Sequence, residues 1–163
     1  MNSGRTPEGG PERPVSLQGE VGGRALVALQ FVLLAWLVWH ALQSGRVPAG
    51  AWMVGAASAV LGLWALRSNP PGNFNIRPTP HPSGRLILAG PYRWIRHPMY
   101  TAVLLAGIAC AAAGTGLSGW VALGMLAVVL FGKSVLEERW MERQHPGYGT
   151  YRAATARFVP GLF

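Results

Sequence analysis

Residues 25–42 read ALVALQFVLLAWLVWHAL, and this run contains no acidic side chain, no lysine and no arginine. Its length approaches the roughly 20 residues that an α-helix needs to span the hydrocarbon core of a bilayer. A second such run occupies residues 49–66, and two shorter ones occupy 98–114 and 119–133. We therefore predict an all-α integral membrane protein with about four transmembrane helices, at about 25–42, 49–66, 98–114 and 119–144, the last one continuing beyond the hydrocarbon.

The composition excludes an ordinary soluble domain. Half of the 163 residues are hydrophobic and only 12% are charged, whereas soluble domains carry about 25% charged residues. Residues 1–24 are rich in Gly, Pro, Glu and Arg and contain no aromatic side chain, so we predict a disordered cytoplasmic tail there. Residues 25–163 are predicted to form a single membrane domain.

The basic residues are distributed unevenly along the chain. Thirteen of the fourteen lysines and arginines lie in the tail, between the second and third predicted helices, or in the C-terminal region, and only Arg46 lies in the two other connections. Because basic residues accumulate on the cytoplasmic side, both termini and the long loop are predicted to be cytoplasmic, in a multi-pass protein of the bacterial cytoplasmic membrane. Topology and membrane lipids then account for the net charge of +8, and no nucleic-acid partner is predicted.

The long cytoplasmic loop before the third predicted helix, residues 67–97, contains six prolines. These prolines forbid a long helix, and connections of this length are usually functional. Cys110 is the single cysteine, so no disulfide can form within the chain. The sequence contains no metal-ligand spacing, and no metal is predicted.

Residues 90–100 read GPYRWIRHPMY and end where the third predicted helix begins. Arg93 and Arg96 could form planar bidentate contacts with a carboxylate or phosphate, or could bind lipid headgroups. His97 could be a hydrogen-bond donor, a proton acceptor, or only the residue before a helix that starts at Pro98. This motif marks a candidate site at the cytoplasmic mouth of the bundle.

Glu137 and Glu138 are two of only six acidic residues. The short turn at residues 115–118 predicts that the third and fourth helices form an antiparallel hairpin, which returns this pair to the side of Arg96 and His97. The two carboxylates could belong to an exposed charged helix end. They could instead hold the ammonium group or the ribose hydroxyls of a cationic cofactor.

The motif at residues 90–100, followed by a helical hairpin, by Glu137-Glu138 and by Tyr148 and Tyr151, closely resembles the isoprenylcysteine carboxyl methyltransferases and their bacterial relatives, and more distantly the phospholipid N-methyltransferases. The resemblance covers about residues 62–160. It implies that S-adenosylmethionine binds between the loop motif and the extension of the fourth helix, and that a lipophilic acceptor arrives from the bilayer. The residues that would match the two cofactor motifs are Gly90, Pro91, Tyr92, Arg96, His97, Pro98, Tyr100, Glu137 and Glu138. The catalytic candidates are Arg93, His97 and Glu138.

The reaction implied by this resemblance is an in-line displacement at the sulfonium methyl group, for which the protein supplies orientation and water exclusion. A carboxylate or thiolate acceptor needs no general base, whereas an amine acceptor must lose a proton to His97 or to a glutamate. One alternative is an NADPH-dependent membrane reductase of the sterol type, for which four helices are too few. Another is a non-catalytic small membrane subunit, in which the Arg and Glu side chains only fasten the loop to the fourth helix.

Overall fold

The computed structural model of this protein describes residues 17–69 and 85–162. Within these residues it contains five α-helices and one short 3₁₀-helix. The α-helices are α1 (Leu17–Leu42), α2 (Ala49–Ser68), α3 (Pro98–Ala112), α4 (Gly116–Gln144) and α5 (Tyr148–Ala154). The 3₁₀-helix spans Gly90–Arg93. The predicted all-helical membrane fold is confirmed.

Three helices in the described part of the chain are long and apolar enough to cross a membrane, namely Gly22–Leu42 within α1, all of α2, and α4. The other apolar helix, α3, has 15 residues. At ~1.5 Å per residue that length is ~22 Å, against a hydrocarbon core of ~30 Å. The third predicted membrane helix is therefore present, but it is shorter than a full span.

Several helix boundaries differ from the predicted ones. α1 begins at Leu17 rather than at residue 25, because a helix already nucleated by an apolar run gains one hydrogen bond for each residue added. The rest of the predicted tail, residues 1–16, lies outside the described residues, as do residues 70–84 of the long loop. α3 ends at Ala112 rather than at residue 114, because Gly114 has a φ of 102°, a conformation that stops a helix.

α2 and α3 pack closely because small residues face each other. A Cβ atom built on Gly62 would lie 3.6 Å from the Ala102 Cβ, and one built on Gly55 would lie 3.8 Å from the Ala109 Cβ. The buried Ser58 hydroxyl donates a 2.7 Å hydrogen bond to the Ala102 carbonyl oxygen. Small side chains and an interhelical hydrogen bond are the devices that hold helices together in lipid.

α1 packs against α4 through buried apolar side chains. The cluster consists of Leu33 and Leu37 from α1 and of Ala122, Leu126, Val129 and Leu130 from α4. Gly107 of α3 lies beside it, because a Cβ there would approach Leu123 Cδ1 to 2.8 Å and Leu37 Cδ1 to 3.7 Å. This core joins α1, α3 and α4 and sets the direction of the C-terminal half of α4.

The two short connections lie together at one end of the bundle. Ser44, between α1 and α2, has its Cβ 3.8 Å from the Cβ position of Gly114, between α3 and α4. α4 begins at Gly116, three residues before its predicted start, and continues for 29 residues. The opposite end of the bundle contains the C-terminal end of α4, as the predicted hairpin requires. The 3₁₀-helix before α3 and α5 after α4 lie at this same end.

Candidate functional site

The loop before α3 is shaped by one glycine and two prolines. Gly90 has a φ of 60°, and a Cβ there would lie 2.8 Å from the Ser68 Cβ, so the position suits glycine. Pro91 and Pro98 are fully buried. Pro98 occupies the start of α3, where its missing N–H costs nothing. These three residues shape the loop and bring no reactive group.

Tyr92 joins the loop to α5. Its carbonyl oxygen accepts a 2.8 Å hydrogen bond from the Tyr151 hydroxyl, and the Tyr151 ring lies 5.8 Å from the buried Tyr148 ring. Burial raises the pKa of Tyr92 to about 12 and also raises the pKa of Tyr148 and Tyr151. All three hydroxyls therefore stay protonated at neutral pH, and these rings pack α5 onto the loop.

The segment after α5 pairs with the loop through its backbone. Ile95 and Ala156 form a parallel bridge. The Arg96 N–H donates to the Ala156 carbonyl oxygen at 2.8 Å, and the His97 N–H donates to the Arg157 carbonyl oxygen at 3.1 Å. The two central residues of the loop motif are thus oriented by residues at the far end of the chain.

Arg96 is a buried structural cation in this arrangement. Its Nε donates to Glu138 Oε1 at 2.9 Å, and its Nη1 donates to the carbonyl oxygens of Arg152, at 3.0 Å, and of Thr155. The residue is 8% exposed. The sequence suggests either a carboxylate or phosphate, or a lipid headgroup, as the partner of this guanidinium. In the structure the partner is the carboxylate of Glu138.

Glu138 is the centre of the buried charge cluster. Two hydrogen bonds from Arg157 reach it, from Nε to Oε1 at 3.1 Å and from Nη2 to Oε2 at 2.7 Å. Together with Arg96, and with Arg152 Nε at 3.8 Å from Oε2, they place three guanidinium groups around one carboxylate whose side chain is 4% exposed. The negative charge of Glu138 is therefore compensated within the chain. Sequence reasoning gives Arg157 no role, because it lies 19 positions after Glu138 and no helical spacing links the two.

Glu137 has a different environment from its neighbour. Its Oε1 accepts a 2.5 Å hydrogen bond from the Tyr100 hydroxyl, and its Oε2 lies 3.2 Å from His97 Nδ1. Its side chain is 20% exposed, against 4% for Glu138. Because no guanidinium contacts Glu137 among the described hydrogen bonds, this carboxylate is the one able to bind a further cation or hydroxyl group.

His97 bridges the two carboxylates. Its Nδ1 faces Glu137 Oε2 and its Nε2 faces Glu138 Oε1, each at 3.2 Å, and its ring stacks on Tyr100 with 5.3 Å between centroids. Burial lowers the pKa of His97, but the hydrogen bonds to Glu137 and Glu138 raise it more, so the pKa lies above its ordinary value of 6.5. The protonated ring donates from both nitrogens and has no lone pair free to accept a proton.

Arg93, the remaining catalytic candidate, lies apart from this cluster. Its side chain is exposed, and its guanidinium lies 5.3 Å from the Trp94 ring centroid. The 3₁₀-helix that ends at Arg93 turns this side chain outward, whereas Arg96, three residues later, points inward. The structure therefore brings together Arg96, His97, Tyr100, Glu137 and Glu138, and it does not add Arg93 to them.

An open cavity of about 610 Å³ lies beside the cluster. Its walls are Arg96, Arg152, Arg157, Phe131, Phe158, Val159 and Leu162. The Phe158 ring is 6.0 Å from the His97 ring, so the cavity adjoins the bridging histidine. Its volume lies in the range of ~300–1,000 Å³ that is usual for small-molecule sites. The combination of cationic and apolar walls suits an amphipathic ligand.

A family model described as phospholipid methyltransferase matches residues 49–147. The matched segment begins with α2 and ends just beyond α4. It contains the loop motif and both glutamates of the cluster, and it leaves out α1 and α5. No curated protein matches the chain.

Proposed function

We propose that this chain, which belongs to the phospholipid methyltransferase family, uses S-adenosylmethionine to methylate a lipophilic acceptor. The observation that carries the proposal is the meeting of His97, Tyr100 and Glu137 at one end of the bundle, in a cluster whose Arg96 lines an open cavity. When bound, the cofactor supplies an electrophilic methyl group on a sulfonium sulfur. The acceptor group is a carboxylate, a thiol or an amine of a lipid-like or prenylated molecule.

The side chains of the site fit a cationic cofactor that carries hydroxyl groups. Glu137 is partly exposed, and its partners are a hydroxyl and an imidazole, so it can accept a hydrogen bond from an ammonium or ribose hydroxyl group. The hydroxyl of Tyr92 stays protonated and can donate or accept. Gly90, Pro91 and Pro98 define the loop, while Arg96 and Glu138 hold it against α4.

The chain contributes mainly orientation to the reaction. Both nitrogens of His97 face a glutamate oxygen, so the protonated ring fixes the two carboxylates and in that form is not free to act as a base. A carboxylate or thiolate acceptor requires no base. For an amine acceptor, Glu137 is the available proton acceptor, because the charge of Glu138 is already compensated by Arg96 and Arg157.

The apolar part of the cavity supports an acceptor that arrives from the bilayer. Phe131 on α4 is 52% exposed, and Val159 and Leu162 are 47% and 59% exposed. These three side chains belong both to the cavity wall and to the outer surface. A hydrocarbon chain lying along them would be continuous with the lipid around α4, whereas the three arginines would face its polar end.

We assign this end of the bundle to the cytoplasmic side, because basic residues accumulate on that side. The described segments at this end contain Arg67, Arg85, Arg93, Arg96, Arg139, Arg143, Arg152 and Arg157, whereas Arg46 lies at the other end. Ser44 and Gly114 then belong to the outer end. In a Cys110→Ala background, Ser44→Cys should react with an impermeant thiol reagent added to intact cells. Labelling of Ser3→Cys under the same conditions would contradict the orientation.

The direct test of the function uses the purified chain in detergent, with S-adenosylhomocysteine or NADPH added. A ligand at ~100 times its Kd stabilises the folded protein by ~2.7 kcal/mol, so we expect S-adenosylhomocysteine alone to raise the unfolding temperature. Stabilisation by NADPH instead would favour a reductase, and stabilisation by neither ligand would favour a non-catalytic subunit.

Methyl transfer is then measured on acceptors that share one head group and differ in chain length. Each buried methylene contributes ~0.8 kcal/mol, so two more methylenes should improve the apparent affinity up to about tenfold, until the chain fills the cavity. Full activity on a short, water-soluble acceptor would contradict access from the bilayer and leave the cofactor assignment intact.

A further inference from the structure

A buried lysine lies in the membrane part of the bundle, one helical turn before the site. Lys133 of α4 is 1% exposed, and its Nζ donates a 2.6 Å hydrogen bond to Oε1 of Gln30, which is 7% exposed in α1. Both residues belong to helices that can span the membrane. An ionisable side chain at such a position is expensive to keep, and it usually has a functional partner.

The partner is the pair formed by Tyr100 and Glu137. The Lys133 ammonium lies 5.0 Å from the centroid of the Tyr100 ring, within the distance at which a cation is attracted to an aromatic face. The hydroxyl of the same ring donates to Glu137 at 2.5 Å. Lys133 and Glu137 are four residues apart on α4, so their side chains share one face of the helix. The cation therefore lies beneath the ring whose hydroxyl holds the accessible carboxylate.

Attachment of α1 does not require this charge. Leu33 and Leu37 already pack α1 onto α4 through a continuous apolar core. Replacing a buried polar or ionic pair with apolar side chains of similar size is often neutral or stabilising. If Lys133 served only to hold α1 against α4, a methionine at this position should stabilise the bundle at least as well.

We propose that Lys133, held by Gln30, is a positioning residue for Tyr100 and Glu137 at the cofactor site. The inference rests on the proposed function, since it assigns a role within that site. It makes α1, which lies outside the family-matched residues 49–147, a contributor to cofactor binding. Three contacts connect α1 to the site. Gln30 accepts a hydrogen bond from the Lys133 ammonium, the ammonium contacts the Tyr100 ring, and the ring hydroxyl donates to Glu137.

The test compares Lys133→Met, Lys133→Arg and the double variant Gln30→Leu/Lys133→Met. The matched control is Arg143→Met, because Arg143 is also a cation on α4, 5.4 Å from an aromatic ring centroid, that of Trp140. S-adenosylhomocysteine is the binding probe. It lacks the sulfonium charge, so direct repulsion between Lys133 and the ligand sulfur does not enter the measurement. Its Kd and the unfolding temperature in detergent are measured for every variant.

We expect the Kd of S-adenosylhomocysteine to rise about tenfold in Lys133→Met and in the double variant, a change that corresponds to about 1.4 kcal/mol. Lys133→Arg retains most of the affinity, and Arg143→Met matches the wild type. In Lys133→Met the amide of Gln30 loses its partner, and the double variant removes that amide as well. Compared with Lys133→Met, the double variant should therefore be more stable and bind S-adenosylhomocysteine no better.

A double variant that regains both stability and affinity would show that Lys133 is only structural, and it would overturn the inference. Unchanged affinity in Lys133→Met would do the same. Failure of the wild-type chain to bind S-adenosylhomocysteine would overturn the proposed function itself, and the two failures are therefore distinguishable.

Discussion

Replacing Glu138 with alanine should destabilise the folded chain by about 3–5 kcal/mol, because removing one partner of a buried ion pair leaves uncompensated charge behind. Here the orphaned charges closest to the carboxylate are the guanidinium groups of Arg96 and Arg157, which lie 2.9 Å and 2.7 Å from the Glu138 oxygens. The Arg96 side chain is 5% exposed, so water cannot solvate it fully in place of the carboxylate. Thermal and denaturant unfolding in detergent, without cofactor, measure the effect.

Glu142→Ala is the matched control for this prediction. Glu142 lies four residues further along α4 and has a side chain that is 39% exposed. Its partner Arg152 also lies 3.8 Å from Glu138 and is 48% exposed, so water can solvate this arginine when Glu142 is removed. Exposed ion pairs contribute only about 0–1 kcal/mol, so the control should unfold almost like the wild type. Equal destabilisation by the two substitutions would mean that the buried cluster does not hold the loop to α4.

The cluster also has a signature in pH. The pKa of His97 is raised in the folded chain, so the stability contributed by its protonation is complete below the unfolded pKa of about 6.5. That contribution is lost as the pH rises through the folded pKa. In Glu138→Gln one of the two carboxylates that raise the pKa is gone, and the His97 titration, followed by NMR, should move towards lower pH.

Replacing Glu137 with glutamine should weaken the binding of S-adenosylhomocysteine about 10- to 150-fold, because losing a charge-assisted hydrogen bond costs about 1.5–3 kcal/mol. Methyl transfer should fall at least as far. The isosteric amide keeps an oxygen for the Tyr100 hydroxyl. Arg96 and Arg157 are paired with Glu138 and not with Glu137, so the substitution leaves both of them paired. The amide nitrogen replaces the oxygen that faces His97 Nδ1, so the unfolding temperature should fall, but by less than in Glu138→Ala. Isothermal titration and initial rates on the same preparation separate the two effects.

Glu142→Gln serves again as the control, since it removes one negative charge from the same end of α4. If Glu142→Gln and Glu137→Gln lose affinity equally, the measurement reports the general electrostatic field rather than a contact. If Glu137→Gln binds normally while a folded Glu138→Gln does not, the roles that we assign to the two glutamates are reversed.

Local patterns in the sequence predicted a large part of this structure. The apolar runs at 25–42 and 49–66 have a length and a composition that few structures other than membrane helices satisfy. The short turn predicted at 115–118 leaves the chain little choice except an antiparallel hairpin, and α3 and α4 form one with residues 113–115 between them. The approach of Glu137 and Glu138 to Arg96 and His97 follows from that hairpin, because α4 is long enough to return to the start of α3.

The rest depends on contacts between distant residues, for which the sequence contains no periodic signal. Gln30 and Lys133 are separated by 103 residues, and a single glutamine in an apolar run does not indicate its partner. Arg157 follows α5 in irregular chain, so no helical spacing points it towards Glu138. Arg93 and Arg96 look alike in the motif, and only the turn at Gly90–Arg93 decides that one is exposed and the other buried.

The pairing of the loop with the segment after α5 has a consequence for biosynthesis. The carbonyl oxygens that Arg96 contacts belong to Arg152 and Thr155, which lie 56 and 59 residues later in the chain. Because a ribosome makes the N-terminal part first, Arg96 is synthesised before the carbonyl groups that orient it exist. A nascent chain that ends with α4 would contain both glutamates of the cluster and would lack these acceptors and Arg157. Synthesis of residues 152–157 is then required before the loop can be held in its final position.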